Sequence, residues 1–311
     1  SLALGRDLSP DIPTHSSPNE MEAYGLGWKD PGVRCFVTDL SDVDCAALTS
    51  EQCQPSQLVR RISEGALDDM EWREVHATVV PRFSVRQWTF RSGRGVHLDL
   101  TFFSDPAHFN QFRLRQRCFR NVFWQTRSRL FEANGVAGIK AFDAYVLLLK
   151  AFAAVTLRRA VTSFQAICLG LFAAQRTLRQ QFGPAPTALG LLKTFLILCK
   201  DFFASESRGS LWYGTDAIDL SHGGRIVDRC SRRARAEMYL MDAEQHLTIS
   251  SWEYMNVLHN VCPETVSALS QHALDRWFPA KGLRNQKKIW AKIWRDVLPV
   301  MKPSYNMQAS C

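Results

Sequence analysis

The chain has 311 residues, of which 46% are hydrophobic and 22% are charged, and its formal net charge is +8. This composition excludes a chain that is disordered along most of its length, and the length favours two domains. The basic excess suits a polyanionic partner such as nucleic acid, although many ordinary soluble proteins share it.

The nine cysteines show no C-x-x-C pair and no paired Cys/His spacing, which favours a reducing compartment over a disulfide framework or a zinc knuckle. The longest uncharged stretch, residues 160–175, is too short to span a membrane, so we expect a buried helix there and no membrane partner. The N-terminal sequence shows neither a signal peptide nor a basic presequence. The cysteine usage leads us to expect an intracellular protein in a reducing compartment, either the mitochondrial matrix or the cytoplasm.

Local patterns predict an α+β protein in which a small mixed-sheet domain precedes a helical domain. Residues 1–20 are rich in Pro, Ser and Thr, which is typical of an extended arm. The predicted domains are 21–105 for the sheet, 106–260 for the helices and 261–311 for a basic, Trp-rich extension. Alternating or β-branched runs predict strands at 34–48, 75–90 and 96–103, and helical periodicity predicts helices at 55–67, 140–157, 161–182, 187–203 and 226–247.

Three aspartates lie in strand-like segments of the predicted sheet domain. Asp42 and Asp44 share a face if their segment is extended, because strand side chains repeat every second residue. After the turn "RSGRG", Leu98 and Leu100 alternate with Asp99, which places Asp99 on the opposite face from these apolar residues. Two neighbouring strands would then bring three carboxylates together.

A cluster of three carboxylates is costly without a cation, because each raises the pKa of the others. Hard cations such as Mg²⁺ remove that cost. Two metal ions about 4 Å apart would activate an attacking hydroxyl and stabilise a leaving oxygen in nucleotidyl transfer. The alternative is structural: Asp42 caps a turn, Asp44 is solvated and Asp99 lies on an exposed strand face.

Basic and aromatic residues alternate in "FRLRQRCFRNVFWQTRSRL", which suits single-stranded RNA, because arginines bind phosphates and aromatic rings stack on bases. The alternative is an amphipathic helix with aromatic residues in the core and a solvated arginine face. The candidate RNA-binding residues here are Arg113, Arg115, Arg117, Arg120, Arg127 and Arg129, interleaved with Phe112, Phe119, Phe123 and Trp124.

A second basic segment near the C-terminus carries Lys287, Lys288 and Lys292 beside Trp290 and Trp294. The lysines are candidate phosphate contacts whose contribution would be electrostatic. The two tryptophans are four residues apart on one helical face, which favours docking onto a core over base stacking.

The order of these motifs resembles the DNA polymerase β-type nucleotidyltransferases, and more narrowly the divergent noncanonical poly(A) polymerase and terminal uridylyltransferase family. The match consists of "LGW" at 26–28, then "DVD" at 42–44, "VHLDLTF" with Asp99, and "LLLKAFAAVTLRRAVTSFQAICLGLFAAQ". It covers about residues 21–205. The resemblance implies a palm-like catalytic domain, a helical central domain and catalytic metal ligands at Asp42, Asp44 and Asp99.

The resemblance also implies that Gly27 and Trp28 occupy the phosphate-approach motif. By the same match, Lys150 would contact the triphosphate, Ser163 would hydrogen-bond a phosphate and Phe164 would stack on the base. The implied cofactor is Mg²⁺ or Mn²⁺, and the implied partners are RNA and a nucleoside triphosphate.

The sequence departs from the family pattern at several of these positions. Trp28 replaces a small Gly or Ser, Ala154 replaces a second lysine, and Phe164 replaces Tyr. His222 in "LSHGG" is a candidate base-selecting residue by position only, and a histidine beside two glycines also suits a surface turn.

A helical scaffold unrelated to this family is a further interpretation, and within the family two functions remain open. One is an RNA 3′-end nucleotidyltransferase that adds uridylyl or adenylyl groups. The other is a catalytically degenerate relative that serves as an RNA-binding or structural subunit of a ribonucleoprotein, such as an organellar ribosome or RNA-processing complex, with protein subunits as partners.

Overall fold

The computed structural model describes residues 21–24, 43–48, 60, 72–80, 85–92, 97–157, 160–179, 186–207, 211–229, 235–240, 256–279 and 286–297. The chain divides into two compact units, Ser1–Gln116 with Pro303–Cys311, and Arg117–Lys302. The predicted arm at 1–20 lies outside the described residues, as does the predicted helix at 55–67 except for Arg60, which is helical. The four-segment division drawn from the sequence stays a prediction.

The first unit contains a five-stranded mixed sheet, as the predicted α+β class requires. Its strand order is β1-β2-β5-β4-β3. Strands β2 and β5 are parallel, whereas the other neighbours are antiparallel. The predicted strand at 75–90 is an antiparallel pair, and the strand at 96–103 is confirmed. The strands are β1 (Met21–Tyr24), β2 (Val43–Leu48), β3 (Trp72–Val80), β4 (Val85–Ser92) and β5 (His97–Phe103).

Helix α1 (Pro106–Val155) follows β5 directly and contributes its first residues to the core of the first unit. Asp105 caps its start, because its Oδ1 accepts a hydrogen bond of 2.8 Å from the amide of Ala107. Phe109 then packs against Phe103, with ring centroids 5.6 Å apart, beside buried Leu48. This contact fixes the start of α1 against β2 and β5.

The second unit is mainly helical. The predicted helices at 140–157, 161–182 and 187–203 are confirmed in type, and Gly135 interrupts α1 with φ 59°. Among the described residues, no helix has both the length and the apolar character needed to cross a bilayer. The further helices are α2 (Ser163–Arg179), α3 (Ala188–Phe202), α4 (Pro263–Trp277) and α5 (Gln286–Val297).

Helix α2 is the centre of the second unit, since every residue from Gln165 to Gln175 is buried. Gly170 allows α1 to approach closely, because a Cβ there would lie only 2.1 Å from Cδ1 of Leu149. The hydroxyl of Tyr145 donates a hydrogen bond of 3.1 Å to the carbonyl of Gly170 at the same crossing. The expectation of a buried helix within 160–175 is therefore confirmed.

The predicted helix at 226–247 is wrong, because its described parts are strands. Strand β6 (Asp216–Asp219) pairs antiparallel with β7 (Arg225–Asp228) and parallel with β8 (Glu237–Tyr239). Glu237 on β8 is fully buried, where it accepts a hydrogen bond of 2.8 Å from the hydroxyl of Tyr239 and lies 3.8 Å from Arg229.

Buried Asn256 connects β8 to the turn that follows it. Its Oδ1 accepts hydrogen bonds of 3.0 Å from the amides of Met238 and Leu258, and its Nδ2 donates one of 2.8 Å to the carbonyl of Ala236. One side chain thus satisfies three buried backbone groups that would otherwise have no partner.

Helix α5 is attached to the end of α4 through Asp296. This carboxylate accepts hydrogen bonds from Arg276, and one of 2.8 Å from the indole of Trp277. Burial alone would raise the pKa of Asp296, but the bonds from Arg276 and Trp277 outweigh burial and lower it.

We expect Asn256→Ala to lower the free energy of unfolding by about 2–4 kcal/mol, because three buried backbone groups are left without a partner. Urea unfolding followed by circular dichroism measures this change. Asn121→Ala, at an exposed position, should stay within about 0.5 kcal/mol of the parent. Equal effects of the two substitutions would contradict the assigned role of Asn256.

The contact between α5 and α4 should be stable at neutral pH and should weaken at acid pH. Because the folded-state pKa of Asp296 lies below its unfolded value, its stabilising contribution is present at neutral pH and is lost as pH falls below about 4. The indole N–H resonance of Trp277, followed by NMR, should therefore shift only at acid pH. Asp296→Asn should shift it at pH 7, whereas Asp275→Asn on the exposed side of α4 should not.

Candidate active site

The parallel pairing of β2 and β5 places two of the three predicted aspartates side by side. In the register, Val43 pairs with Leu98, and Asp44 pairs with Asp99. Neighbouring strands lie about 4.8 Å apart, and paired residues occupy register positions on the same face of a sheet. The backbone therefore brings Asp44 and Asp99 to one location.

The alternation predicted for β5 is confirmed. Leu98 and Leu100 are buried on one face, whereas Asp99 and Thr101 are half-buried on the other. Further along that second face, Ala46 and Phe103 are in the core of the unit. Asp99 thus lies where the apolar part of this face ends, which limits its access to water.

The Oδ1 atom of Asp99 is buried and accepts no hydrogen bond from any part of the chain that the structure describes. A buried carboxylate oxygen without a donor is costly. A divalent cation would supply the missing interaction, and carboxylate oxygens are the ligands that Mg²⁺ prefers. The donor type and the unpaired oxygen both fit a metal ion at this position.

The remaining predicted residues of this unit lie outside the described part of the chain. They are Gly27, Trp28 and Asp42. For Asp44 the structure describes the backbone alone. Within the described side chains, no group of three or more His, Cys, Asp or Glu residues is suited to a metal, so the ligand set of Asp42, Asp44 and Asp99 stays a prediction.

The second unit contains three of the five residues predicted to contact the nucleotide. Lys150 is half-buried near the end of α1, and exposed Ser163 is the first residue of α2. Thr162 caps that helix by accepting a hydrogen bond of 3.2 Å from the amide of Gln165. Phe164 is half-buried against Phe119, with ring centroids 4.9 Å apart.

The aromatic part of the RNA-binding hypothesis for 112–129 is contradicted for two rings. Phe119 and Phe123 are 5% and 0% exposed, so they are core residues and cannot stack on bases. Phe112 packs against Phe103, with ring centroids 5.2 Å apart. The spacing of Phe112, Phe119 and Phe123 on α1 places the three rings on the inward face of the helix. Burial of these rings stabilises the fold and makes them unavailable to bases at the surface.

The arginines of the same segment differ in their surroundings. Arg127 forms a bidentate ion pair with Asp143, with N–O distances of 2.9 and 3.0 Å, and its guanidinium also lies over the ring of Trp124. Arg113 lies over the ring of Phe109 in the first unit. Arg129 is exposed, whereas Arg115, Arg117 and Arg120 are half-buried. Arg127 is therefore the member of the set least suited to phosphate.

The docking expected of the C-terminal tryptophans is wrong for Trp294, which is exposed, whereas Trp290 is half-buried. Ile289 and Ile293 form the buried side of α5, while Trp294 is 37% exposed and stacks on Trp290 at 5.9 Å. Each isoleucine precedes a tryptophan by one residue, so the isoleucines form the neighbouring row along the helix. This row is the one that is buried. Lys287 and Lys288 are exposed, and Lys292 is half-buried.

His222 lies in an exposed surface turn between β6 and β7. Its Nδ1 is 2.5 Å from Oδ2 of buried Asp219, and its carbonyl accepts a hydrogen bond of 3.0 Å from Arg179. No local sequence pattern singles out Asp219 or Arg179, because their roles depend on the hairpin that β6 forms with β7.

The described chain combines a mixed sheet, in which a parallel strand pair brings two aspartates into register, with a helical unit, and this arrangement is similar to a solved structure. The Cid1 poly(U) polymerase with bound MgGTP matches with a TM-score of 0.51 and 12% identity over 88% of this chain and 85% of that chain. The resemblance to the noncanonical poly(A) polymerase and terminal uridylyltransferase family is therefore confirmed as a likeness of fold.

Two further structures match with lower scores. A cytoplasmic RNA terminal U-transferase has a TM-score of 0.47 and 11% identity over 89% of this chain and 86% of that chain. Terminal uridylyl transferase 4 from Trypanosoma brucei with bound dUTP has a TM-score of 0.48 and 13% identity over 83% and 86%. No protein-family model matches the chain, and no curated protein matches it.

Asp99→Asn separates a metal ligand from a structural acid. In EDTA we expect the variant to be at least as thermally stable as the parent, because a neutral amide costs less to bury than an unpaired carboxylate. With excess Mn²⁺ the parent should gain several degrees in Tm, and the variant should gain little.

Differential scanning fluorimetry in EDTA and in Mn²⁺ gives both comparisons, with Asp275→Asn as the control. A structural role for Asp99 would instead lower Tm equally in the two conditions, and would leave the response to Mn²⁺ unchanged.

Proposed function

We propose that this protein transfers nucleoside monophosphates from a nucleoside triphosphate to the 3′ end of an RNA. The observation that carries the proposal is the register that pairs Asp44 with Asp99, together with the unpaired Oδ1 of Asp99. The likeness of fold to a poly(U) polymerase supports the same class of reaction.

In this proposal Asp42, Asp44 and Asp99 hold Mg²⁺ or Mn²⁺. The bound ions would supply Lewis acidity at the attacking 3′ hydroxyl and at the leaving pyrophosphate oxygen. The pairing of β2 with β5 would keep Asp44 and Asp99 at adjacent register positions. Because Oδ1 of Asp99 is buried, water would screen its attraction for a cation less than it would at an exposed position.

The second unit contributes the nucleotide contacts in the same proposal. Lys150 would attract the triphosphate charge, and the exposed hydroxyl of Ser163 would hydrogen-bond a phosphate oxygen. Phe164 would present its ring to the base.

A second function is a catalytically inactive RNA-binding or structural subunit of a ribonucleoprotein. The packing of Phe164 against Phe119 is the structural observation that favours it, because a ring already packed against another ring has less surface for a base. Ala154 in place of a lysine and Trp28 in place of a small residue support it from the sequence.

The test is incubation of end-labelled RNA with each ribonucleoside triphosphate in turn, with Mg²⁺, with Mn²⁺ and with EDTA. We expect metal-dependent extension by one preferred nucleotide, which also identifies uridylyl or adenylyl transfer. Asp99→Asn should reduce the rate by at least about 100-fold, because the transition-state charge is no longer stabilised. Asp275→Asn should leave it unchanged.

RNA affinity measured on the same preparations distinguishes the two functions. Loss of extension in Asp99→Asn with unchanged RNA affinity supports nucleotidyl transfer. RNA binding by the parent protein without extension under any metal condition would reject nucleotidyl transfer and favour the inactive subunit.

A further inference from the structure

Two arginines from different helices converge on the turn between β6 and β7. Arg129 lies in the middle of α1, and Arg179 is the last residue of α2; both are exposed. A Cβ built on Gly223 would lie 3.2 Å from Nη1 of Arg129 and 3.5 Å from Nη2 of Arg179. The two guanidinium groups therefore meet above a single residue of the hairpin.

The turn itself is held in one conformation. Asp219 accepts hydrogen bonds from the amide and the hydroxyl of Ser221, at 3.0 and 2.5 Å, and its other oxygen contacts His222. Gly223 and Gly224 follow with φ of 71° and 73°, a region that favours glycine. The absence of a side chain at Gly223 leaves room for both arginines.

Among the described residues, these two positive charges have no acidic partner, since no carboxylate there lies within ion-pair distance of Arg129 or Arg179. The nearby carboxylate of Asp219 is already engaged by Ser221 and His222. Arg127, two residues before Arg129, shows the contrasting case, because Asp143 neutralises it. The pair at the turn therefore carries an excess of positive charge.

The position of Arg179 has a simple structural explanation, but that of Arg129 does not. A basic residue in the last turn of a helix complements the helix dipole, and Arg179 also donates to the carbonyl of His222. Arg129 lies six residues before the break in α1 at Gly135, outside the last turn that precedes the break, and makes no ion pair with any described residue. The two guanidinium charges repel each other, and an anion bound between them would attract both.

We propose that Arg129, Arg179 and the turn at Gly223 form a phosphate-binding site. Two guanidinium forks suit the oxygens of a phosphate, and an exposed turn suits the backbone phosphates of a single-stranded RNA better than it suits an enclosed small molecule. A nucleoside triphosphate offers the same chemistry. The RNA assignment rests on the proposed action on RNA, whereas the phosphate site itself does not.

The test measures binding of a fluorescently labelled 15-nucleotide single-stranded RNA by anisotropy in EDTA, so that the aspartate site plays no part. We expect Arg129→Gln/Arg179→Gln to raise the Kd about tenfold. The slope of log K against log salt should fall by about 0.7 for each phosphate that the variant no longer binds. Arg129→Lys/Arg179→Lys should recover most of the affinity, because the charge is retained.

Lys193→Gln, which removes one exposed charge from α3, is the control and should leave the Kd within about twofold of the parent. Competition of the labelled RNA with UTP identifies the source of the phosphate. Weaker RNA binding with unchanged UTP competition assigns the site to the RNA backbone, whereas loss of UTP competition alone assigns it to the triphosphate.

Unchanged RNA and UTP binding in the double Gln variant would overturn the proposal, and so would an equal loss in Lys193→Gln. These outcomes are independent of nucleotide addition, since the binding assays contain no metal. Failure of the phosphate site would therefore leave nucleotidyl transfer untouched, and failure of nucleotidyl transfer would leave the phosphate site testable.

Discussion

The parallel pairing of β2 with β5 is the constraint on which the functional interpretation depends. It joins residues 43–48 to residues 97–103 in one register, and that register brings Asp44 opposite Asp99. Shifting the pairing by one residue would move one aspartate to the other face of the sheet. Buried Ala46 and Leu48 on β2 disfavour such a shift, because it would turn them away from the core that they share with Phe103 and Phe109.

In the second unit, too, apolar packing determines where polar groups lie. Gln165 and Gln175 lie on buried helix α2, where each donates to a backbone carbonyl of another segment: Gln165 to Val257, and Gln175 to Leu220. These bonds fasten the turn at 256–260 and the hairpin at 219–224 to the same helix. The hairpin that meets Arg129 and Arg179 is thus fixed by contacts made deep inside the unit.

Those parts of the fold in which local pattern and burial agree could be predicted from the sequence. Around Asp99, buried residues alternate with half-buried ones, and α2 is buried on all sides over most of its length. The first is visible in the sequence as a period of two and the second as a long apolar run. The small sheet of β6, β7 and β8 could not be predicted, because no local pattern shows that Glu237 on β8 is buried and lies 3.8 Å from Arg229. Likewise, no pattern distinguishes the paired Arg127 from the exposed Arg129, since Asp143 is sixteen residues away from Arg127.

The most direct measurement is a diffraction experiment on crystals soaked with Mn²⁺ and a non-hydrolysable nucleoside triphosphate, with data collected at the manganese absorption edge. We expect an anomalous peak within coordination distance, about 2.2 Å, of a carboxylate oxygen of Asp99 and of one of Asp44. Manganese bound elsewhere on the chain, with the carboxyl groups of Asp44 and Asp99 directed away from each other, would contradict the proposed metal site.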